Sequence, residues 1–514
     1  MHLSKWEYDF KTMKNVIKKY GLFLWSMLCA FSVLIFTTRS SFLFVCNNWD
    51  DANSYFTMGK GMMNGLVIYR DMYDQKGPFL YLLYGFAYLL SHKSFLGVFL
   101  FEIISGAFFL FFSGLLIKRK SNTVVAAILI PVLAAAAFSS WSFYYGGAAE
   151  ELCLPFLAYS LLVLDEILNC ECDHDRILRI FINVGLCAGV VAQVKYTMLG
   201  FFFAWFVLAV IGTIGKENVK EAIKPALVFI LAACVPSLPW FVYFVITGSL
   251  DDWFRCYIYN NLFFYSQVAT EEYSFFNKIY EMGKTLYWLI QDSWSYFVFL
   301  IAGFVLQLFM EKGFVRRFVS LWIFGCTYFV IFIGGNKLPY YSIPLIPLAT
   351  YGLAYLGSLV KNVTEKGTEK KSNTWLQLGV TAAILAVSVV FASFNTMNAE
   401  YRAFDEKDVW LIEAASYLTE DDTLLELNTI DAGLYTVTGI VPTCEYFQTN
   451  GINLSTMFEE QKKYIKEGRT DYVLAVGFEP DLIDEQYSLL KKFEYKETDH
   501  DNVYYLYQRN SLSE

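Results

Sequence analysis

The chain has 514 residues, of which 56% are hydrophobic and only 17% are charged, and its formal net charge is −9. Water-soluble domains carry about 25% charged residues, so this composition excludes a soluble globular protein and indicates one that lies in a bilayer. The acidic balance argues against a nucleic-acid partner, because such a partner selects a basic surface.

Apolar segments recur as far as residue 394, and we predict eleven membrane-spanning helices within a transmembrane domain, 21–394. A spanning helix needs about 20 apolar residues. A basic N-terminal tail, 1–20, precedes the first span. The positive-inside rule makes this tail cytoplasmic, and an odd number of crossings then places the C-terminus outside the plasma membrane. The predicted spans are 21–37, 95–117, 122–143, 152–168, 180–195, 197–214, 225–247, 292–310, 318–335, 339–360 and 375–394.

The loop between the first two spans, 38–94, contains an apolar segment that we do not count as a span. Residues 78–91 have a length typical of interfacial or re-entrant helices. If they crossed the membrane, the basic cluster 118–120 after the next span would lie outside the cell, against the positive-inside rule. We therefore predict that 78–91 lies along the outer surface.

The last part of the chain, 395–514, changes character and becomes charged. Short β-prone runs alternate there with helix-like ones, which is typical of a small α/β domain. We predict such a domain on the extracytoplasmic side. The β-prone runs are Leu424–Leu427, Tyr472–Val476 and Val503–Tyr507, and the helix-like runs are Met457–Lys466 and Leu482–Lys492.

On this topology, charged and aromatic residues from several loops gather at the outer face. An unpaired charge at membrane depth costs at least about 2.5–3.5 kcal/mol, so such residues indicate a function. Carboxylates can act as bases toward hydroxyl groups and lysines can neutralise phosphate, which favours a site for a phosphorylated, hydroxylated substrate. The candidate residues are Asp50, Asp51, Tyr55, Gln75, Lys76, Glu150, Glu151, Lys195, Lys337 and Tyr341.

Structural alternatives exist for several of these residues. Loop charges are commonly only solvated. Glu150 and Glu151 are also suited to the start of a helix, where acids interact with the helix dipole. Lys195 could extend its ammonium to the interface, and Tyr55 could belong to an interfacial aromatic belt.

Two segments resemble a known family. Asp51-Ala52-Asn53-Ser54-Tyr55, followed by 75–78 (Gln-Lys-Gly-Pro), resembles the first outer loop of membrane glycosyltransferases of the GT-C fold. The run 337–341 (Lys-Leu-Pro-Tyr-Tyr) is similar to the Lys-Leu-Pro-x-Tyr stretch of the lipid A aminoarabinose transferases. Among GT-C enzymes, these transferases and the protein O-mannosyltransferases are the most similar to this chain in pattern. The resemblance implies a GT-C-like polytopic fold and the transfer of a sugar from a polyprenyl-phosphate donor.

The resemblance also implies roles for individual residues. Asp51 is similar to the general base that takes the proton of the acceptor hydroxyl, and Asp50 could substitute for the second acid, because Ala52 stands where the family has one. Lys76 would hold the lipid phosphate or orient Asp51. Lys337 and Tyr341 are expected to contact the donor phosphate.

No cofactor is predicted. Gln75 stands where the aminoarabinose transferases have a glutamate associated with a metal, and a neutral amide is a poor ligand for a divalent cation. A metal site is therefore not favoured.

The predicted function is that of an inverting glycosyltransferase acting on a cell-envelope glycan, a glycolipid or a protein outside the cytoplasm. The alternative is a transporter or flippase of a lipid-linked sugar or polymer, which would carry charged or broken helices at mid-membrane in two matched halves. No inverted repeat is visible in the sequence, and the charges cluster on one face, which favours the enzyme. A ligase that uses a whole lipid-linked polymer as donor remains a third alternative.

Overall fold

The computed structural model describes residues 5–265, 274–334, 337–367, 374–449, 451–452, 454–481, 483–497 and 500–512. The first four residues of the predicted N-terminal tail and Leu482 lie outside these ranges. The remainder of that tail is helical and continuous with the first span, since helix α1 begins at Lys5.

Most of the described residues before residue 396 are helical. The helices are α1 (Lys5–Thr37), α2 (Asp50–Met63), α3 (Pro78–Leu90), α4 (Leu96–Lys120), α5 (Thr123–Phe138), α6 (Leu154–Leu168), α7 (His174–Ala192), α8 (Leu199–Lys216), α9 (Val219–Cys234), α10 (Leu238–Ile246), α11 (Leu250–Trp253), α12 (Phe275–Asp292), α13 (Trp294–Met310), α14 (Phe314–Phe332), α15 (Ala349–Gly367) and α16 (Thr374–Asn395). A 3-10 helix, Pro339–Leu348, precedes α15, and the prolines inside it, Pro344 and Pro347, lack the N–H groups that an α-helix would use.

Among the described residues, seven helices are long and apolar enough to cross a membrane, and up to eight if one bent helix pair counts as a span. The predicted number of eleven is therefore not confirmed. The predicted spans 122–143, 152–168 and 180–195 correspond to α5, α6 and α7, which are helical but shorter or more polar. The span predicted at 292–310 corresponds to α13, which meets α12 at an angle of 111°. Helix α3 is also too short to cross, as predicted.

Small residues allow the helices to approach each other closely. Gly303 of α13 faces Gly352 of α15, where a Cβ on Gly352 would lie 1.8 Å from the carbonyl oxygen of Phe299. Helix packing inside a bilayer depends on such close backbone contacts, because lipid supplies no hydrophobic drive between helices. Helix α4 packs against α1, α5 and α6 and so lies at the centre of one half of the bundle.

The C-terminal part forms a small mixed sheet with short helices. The elements are α17 (Trp410–Ala415), β1 (Leu424–Leu427), α18 (Leu434–Thr438), α19 (Ser455–Lys466), β2 (Tyr472–Val476), β3 (Tyr487–Glu497) and β4 (His500–Arg509). The strand order is β1-β2-β4-β3, with β1 parallel to β2 and the other neighbours antiparallel. The predicted α/β character and the predicted strands at β1 and β2 are confirmed.

One element of this unit was predicted wrongly. The run 482–492 was expected to be helical, but strand β3 covers most of it and pairs with β4. Leu489 and Leu490 are adjacent, which hides the alternation by which a half-buried strand is recognised. A register shift between Leu489 and Lys491 accommodates the two leucines in the sheet.

The C-terminal unit docks on the end of the bundle that carries loop 38–94. The backbone N–H of Tyr73 donates to the carbonyl of Glu445 at 2.8 Å, and Gln448 donates to Ser54 of α2 at 2.8 Å. Helix α2 is thus packed between the membrane part and the C-terminal unit. This arrangement fixes the helix from which the candidate site is built.

Candidate functional site

Helix α2 begins at two aspartates. Asp50 and Asp51 occupy its first turn, where the helix dipole favours negative charge. The Asp50 carboxylate accepts a hydrogen bond from the backbone N–H of Asp51 at 2.8 Å. Burial, and then the neighbouring Asp51, raise the pKa of Asp50 to about 7.

Lys76 reaches this pair because its loop is attached to the end of α7. The N–H groups of Gly77 and Phe79 donate to the carbonyls of Val194 and Gln193, each at 3.0 Å. A Cβ at Gly77 would lie 2.0 Å from the Gln193 carbonyl oxygen, so only glycine permits this approach. The Lys76 ammonium then lies 3.8 Å from the Asp51 carboxylate.

The same attachment brings a second lysine to the site. Lys195 follows Gln193 and Val194 in the chain, and its ammonium forms an ion pair with Glu150. The ammonium also lies 3.6 Å from the ring centroid of Tyr341. Burial lowers the pKa of Lys195, with Glu150 opposing that shift.

Tyr340 completes the cluster and was not among the predicted site residues. Its hydroxyl donates to the Asp51 carboxylate, and its ring centroid lies 5.5 Å from the Lys195 ammonium. The sequence signal was present, since Tyr340 precedes Tyr341 in the run 337–341. The 3-10 helix that begins at Pro339 turns both tyrosines toward buried positions.

A cavity of about 240 Å³ opens beside the two lysines. Gln75, Lys76 and Lys195 line it together with apolar side chains that include Val330 and Ile331 of α14. The backbone carbonyl of Gln75 accepts a hydrogen bond from Asn261, another lining residue, at 2.8 Å. A cavity lined by two cationic side chains and by apolar ones suits an amphiphilic anion.

Three buried polar atoms at the site have no hydrogen-bond partner among the described residues: the Tyr55 hydroxyl, Glu150 Oε2 and Glu151 Oε1. Buried polar atoms without partners cost about 1–3 kcal/mol each, so they are typical of places where a ligand binds. Tyr55 lies directly beside Lys76, whose ammonium is 5.4 Å from its ring centroid. The structure places Glu150 at the N-cap and Glu151 in the first turn of the 3-10 helix Glu151–Cys153, as the structural alternative expected, although Glu150 makes no side-chain cap hydrogen bond.

Glu151 serves mainly to hold the local backbone. Its other carboxylate oxygen accepts a hydrogen bond from the N–H of Gly147 at 3.1 Å. Burial, and then Glu102, raise the pKa of Glu151 well above its usual range.

Lys337 is not brought into the cluster. Its ammonium forms an ion pair with Glu281 of α12, and its side chain is 38% exposed. It lies 5.8 Å from the ring centroid of Trp288. Of the predicted residues, Asp50, Asp51, Tyr55, Gln75, Lys76, Glu150, Lys195 and Tyr341 converge, whereas Lys337 faces another helix.

Two carboxylates of the site have partners within the protein. Asp51 is engaged by Tyr340 and Lys76, and the Asp74 carboxylate accepts from Tyr81 at 2.8 Å. Among the described residues, one group of three ligand-type side chains clusters within 4.8 Å, at the opposite end of the bundle: His174, Glu217 and Glu221.

The bundle, the loop helix and the small sheet at one end together have the GT-C fold of membrane glycosyltransferases, as the resemblance predicted. A structure of ArnT from Cupriavidus metallidurans bound to undecaprenyl phosphate matches with a TM-score of 0.62 and 14% identity, over 94% of this chain and 98% of that chain. Its apo form matches with a TM-score of 0.61 and 13% identity, over 94% and 97%. The oligosaccharyltransferase of Archaeoglobus fulgidus, tethered to an acceptor peptide, has a TM-score of 0.50 and 12% identity, over 95% and 74%.

A comparison with protein-family models gives no match, and neither does one with curated protein sequences. The structural matches at this low identity establish the fold. They also agree with a multi-pass membrane protein, which the apolar helices indicate independently.

Proposed function

We propose that the protein is a glycosyltransferase that moves a sugar from a polyprenyl-phosphate donor to a hydroxyl acceptor. The observation that carries this proposal is that two lysines, Lys76 and Lys195, line a cavity together with apolar side chains, and that the Asp51 carboxylate lies 3.8 Å from the Lys76 ammonium. A base beside a cationic, amphiphilic pocket is the minimum that such a transfer needs. The fold supports it, since ArnT with this fold was solved with undecaprenyl phosphate bound.

In the proposed reaction, Asp51 takes the proton of the acceptor hydroxyl while the oxygen attacks the anomeric carbon. The bond between that carbon and the phosphate oxygen breaks on the opposite side, and its electron pair leaves with the lipid phosphate. The sugar is transferred with inversion, and the proton stays on the carboxyl. Tyr340 orients the base through its hydroxyl.

The leaving phosphate would be neutralised by Lys76 and Lys195. Both ammonium groups are held by counter-charges and rings before the donor binds, so little reorganisation accompanies the step. The Tyr55 hydroxyl and Glu150 Oε2 are suited to hold sugar hydroxyls, because both are buried and without partners among the described residues. Lys337 would contribute only after it exchanges its ion pair with Glu281.

We place the site on the extracytoplasmic side of the plasma membrane, with the N-terminus in the cytoplasm. Bases cluster at the other end of the bundle, where α4 ends with 118–120 and α8 ends with Lys216, as expected for a cytoplasmic face. The partners are then the bilayer, a polyprenyl-phosphate sugar and an envelope glycan, glycolipid or protein acceptor. Cysteine labelling of sealed vesicles at 118–120 would contradict this orientation if it occurred only from outside.

The test uses purified protein in detergent with a polyprenyl phosphate that carries a radiolabelled sugar, together with cell-envelope extract as acceptor. The wild type should transfer label, and Asp51→Asn should lower the rate by at least about 100-fold. Asp252→Asn, a partly buried aspartate of α11 outside the cluster, is the matched control. Turnover of Asp51→Asn at the wild-type rate would overturn the assignment of the base.

The same assay separates the enzyme from the transporter alternative. Transport requires a sealed membrane, whereas transfer does not, so label in a new product in detergent supports the enzyme. Movement of intact donor across liposomes without any new product would support the flippase instead.

A further inference from the structure

The C-terminal unit contains a second cavity, of about 380 Å³, that the proposed chemistry does not use. It lies at the carboxyl ends of β1 and β2, the one parallel pair in the described sheet. Asn428 directly follows β1, and Phe478 comes two residues after β2. Ligands of open α/β sheets bind in this position, beyond the carboxyl ends of parallel strands.

The floor of this cleft is fixed by hydrogen bonds. The backbone N–H of Asn428 donates to Thr449 Oγ1 at 2.9 Å, and its side-chain amide donates to the carbonyl of Val476 at 2.8 Å. Asn428 has a φ of 58°, a conformation that asparagine tolerates better than most residues. Thr449 in turn donates to Gln461 at 3.3 Å, so the polar groups of the cleft are held in place before a ligand binds.

The walls are aromatic and open to solvent. Phe458 of α19 is 46% exposed and Phe478 is 41% exposed, and both line the cleft. Exposed apolar side chains that flank a preformed cavity indicate a binding surface, because covering them with a ligand removes apolar area from water.

The charges of the cleft indicate which ligand it suits. Lys462 and Asp481 are the charged lining residues, one of each sign, so the site offers no net charge to a phosphate or an acidic chain. Aromatic faces combined with amide and hydroxyl groups fit a ligand that has apolar C–H faces and a rim of hydroxyls. A neutral sugar ring has both.

The cleft is connected to the candidate site through consecutive residues. Gln448 donates to Ser54 of α2 at 2.8 Å, and the next residue, Thr449, lines the cleft. Helix α2 begins with Asp50 and Asp51. A ligand held in the cleft is thus bound by the segment that contains Gln448 and Thr449. The same segment contacts helix α2, which carries Asp51.

We propose that this cleft binds a neutral saccharide chain and that, given the proposed function, it holds the acceptor glycan. The C-terminal unit is then an acceptor-binding domain rather than only a cover.

The test measures binding and transfer on the full-length protein in detergent. The probes are fluorescent oligosaccharides of two to four glucose, galactose, rhamnose or N-acetylglucosamine units, with uronic acid and phosphorylated oligosaccharides for comparison. The wild type should bind at least one neutral probe, and Phe458→Ala with Phe478→Ala should weaken that binding by about ten-fold or more. Leu489→Ala, which removes another exposed side chain of the same unit (50% exposed), should bind as the wild type does.

In the transfer assay the double phenylalanine variant should raise the KM for the acceptor by about ten-fold. Its kcat and its KM for the lipid donor should be unchanged, because neither ring lies in the reacting cluster. Failure of the wild type to bind any neutral probe, binding of the charged probes only, or an unchanged acceptor KM would each overturn the proposal. If the wild type binds sugar through the two rings but transfers none, the cleft stands and the proposed function fails.

Discussion

The contact between α2 and the C-terminal unit contains a fully buried lysine, which makes a sharp prediction. The ammonium of Lys60 donates to the backbone carbonyl of Tyr435 at 2.6 Å, with no exposed surface. Burial lowers the pKa of Lys60 to about 7, and Asp431 is the strongest charge opposing that shift. Asp431 is itself buried and accepts from Thr57 at 2.6 Å and from the N–H of Gly433 at 2.8 Å.

Asp431→Ala should destabilise the protein by about 1–3 kcal/mol, because it leaves the Thr57 hydroxyl and the Gly433 N–H buried without their acceptor. Lys60→Met should cost a similar amount, because it leaves the Tyr435 carbonyl without the donor that Lys60 supplies and removes a favourable charge near Asp431. The double variant should be less destabilised than the sum of the two singles by about 0.5–3 kcal/mol, since its members share one interaction. These free energies refer to the unfolding of α2 together with the C-terminal unit, because the contact of Lys60 with Tyr435 joins the two.

The assay is thermal unfolding of the detergent-purified proteins, read as the apparent Tm at one detergent concentration. Lys407→Met is the matched control, because Lys407 is a solvent-exposed lysine of the same unit (77% exposed), and its Tm should equal that of the wild type. Single variants with the wild-type Tm, or a double variant whose loss equals the sum of the singles, would refute the reasoning.

Three further outcomes are expected. In the label-transfer assay, Lys76→Met should lower kcat/KM by about 100-fold. Lys337→Met should lower it by less than about ten-fold, because an exposed ion pair contributes little. Equal losses for the two variants would contradict the placement of Lys337 outside the cluster. Tyr340→Phe should lower kcat by about ten-fold with KM unchanged, through lost orientation of Asp51; an altered donor KM alone would contradict that role. The pKa of Asp50 is raised from 3.8 to about 7, so its stabilising contribution is complete below pH 3.8 and lost as the pH rises through about 7. Asp50→Asn should therefore raise the Tm relative to the wild type more at pH 8 than at pH 5. A Tm difference independent of pH would refute this.

The positions of the helices were largely predictable from the sequence, whereas the number of helices that are long enough to cross the membrane was not. The bilayer selects apolar runs of about 20 residues, which is a local property of the sequence. The structure shows helices at the predicted spans but makes α5, α6 and α13 shorter than that length. Helix ends depend on packing and on breaks such as the bend between α12 and α13, which composition does not reveal.

The sheet shows the same division between local pattern and pairing. Strands β1 and β2 were predicted because they are short β-prone runs, and the structure buries both of them fully. Strand β3 was missed because its adjacent leucines suit a helix as well, and only its partner β4 decides the matter. Strand propensity depends on neighbours more than helix propensity does.

By itself the sequence determined that this is a polytopic membrane protein, because the length of the apolar runs is readable along the chain. The loop motifs placed Asp51, Lys76 and Tyr341 among the predicted site residues. The tertiary structure alone decided that Lys195 joins that cluster through the attachment of Gly77 to α7, that Lys337 pairs with Glu281, and that Lys60 is buried against the C-terminal unit. Each of these three placements depends on contacts between residues far apart in the chain. The partner of a long, flexible charged side chain is set by the residues that folding brings around it, not by its neighbours in the sequence.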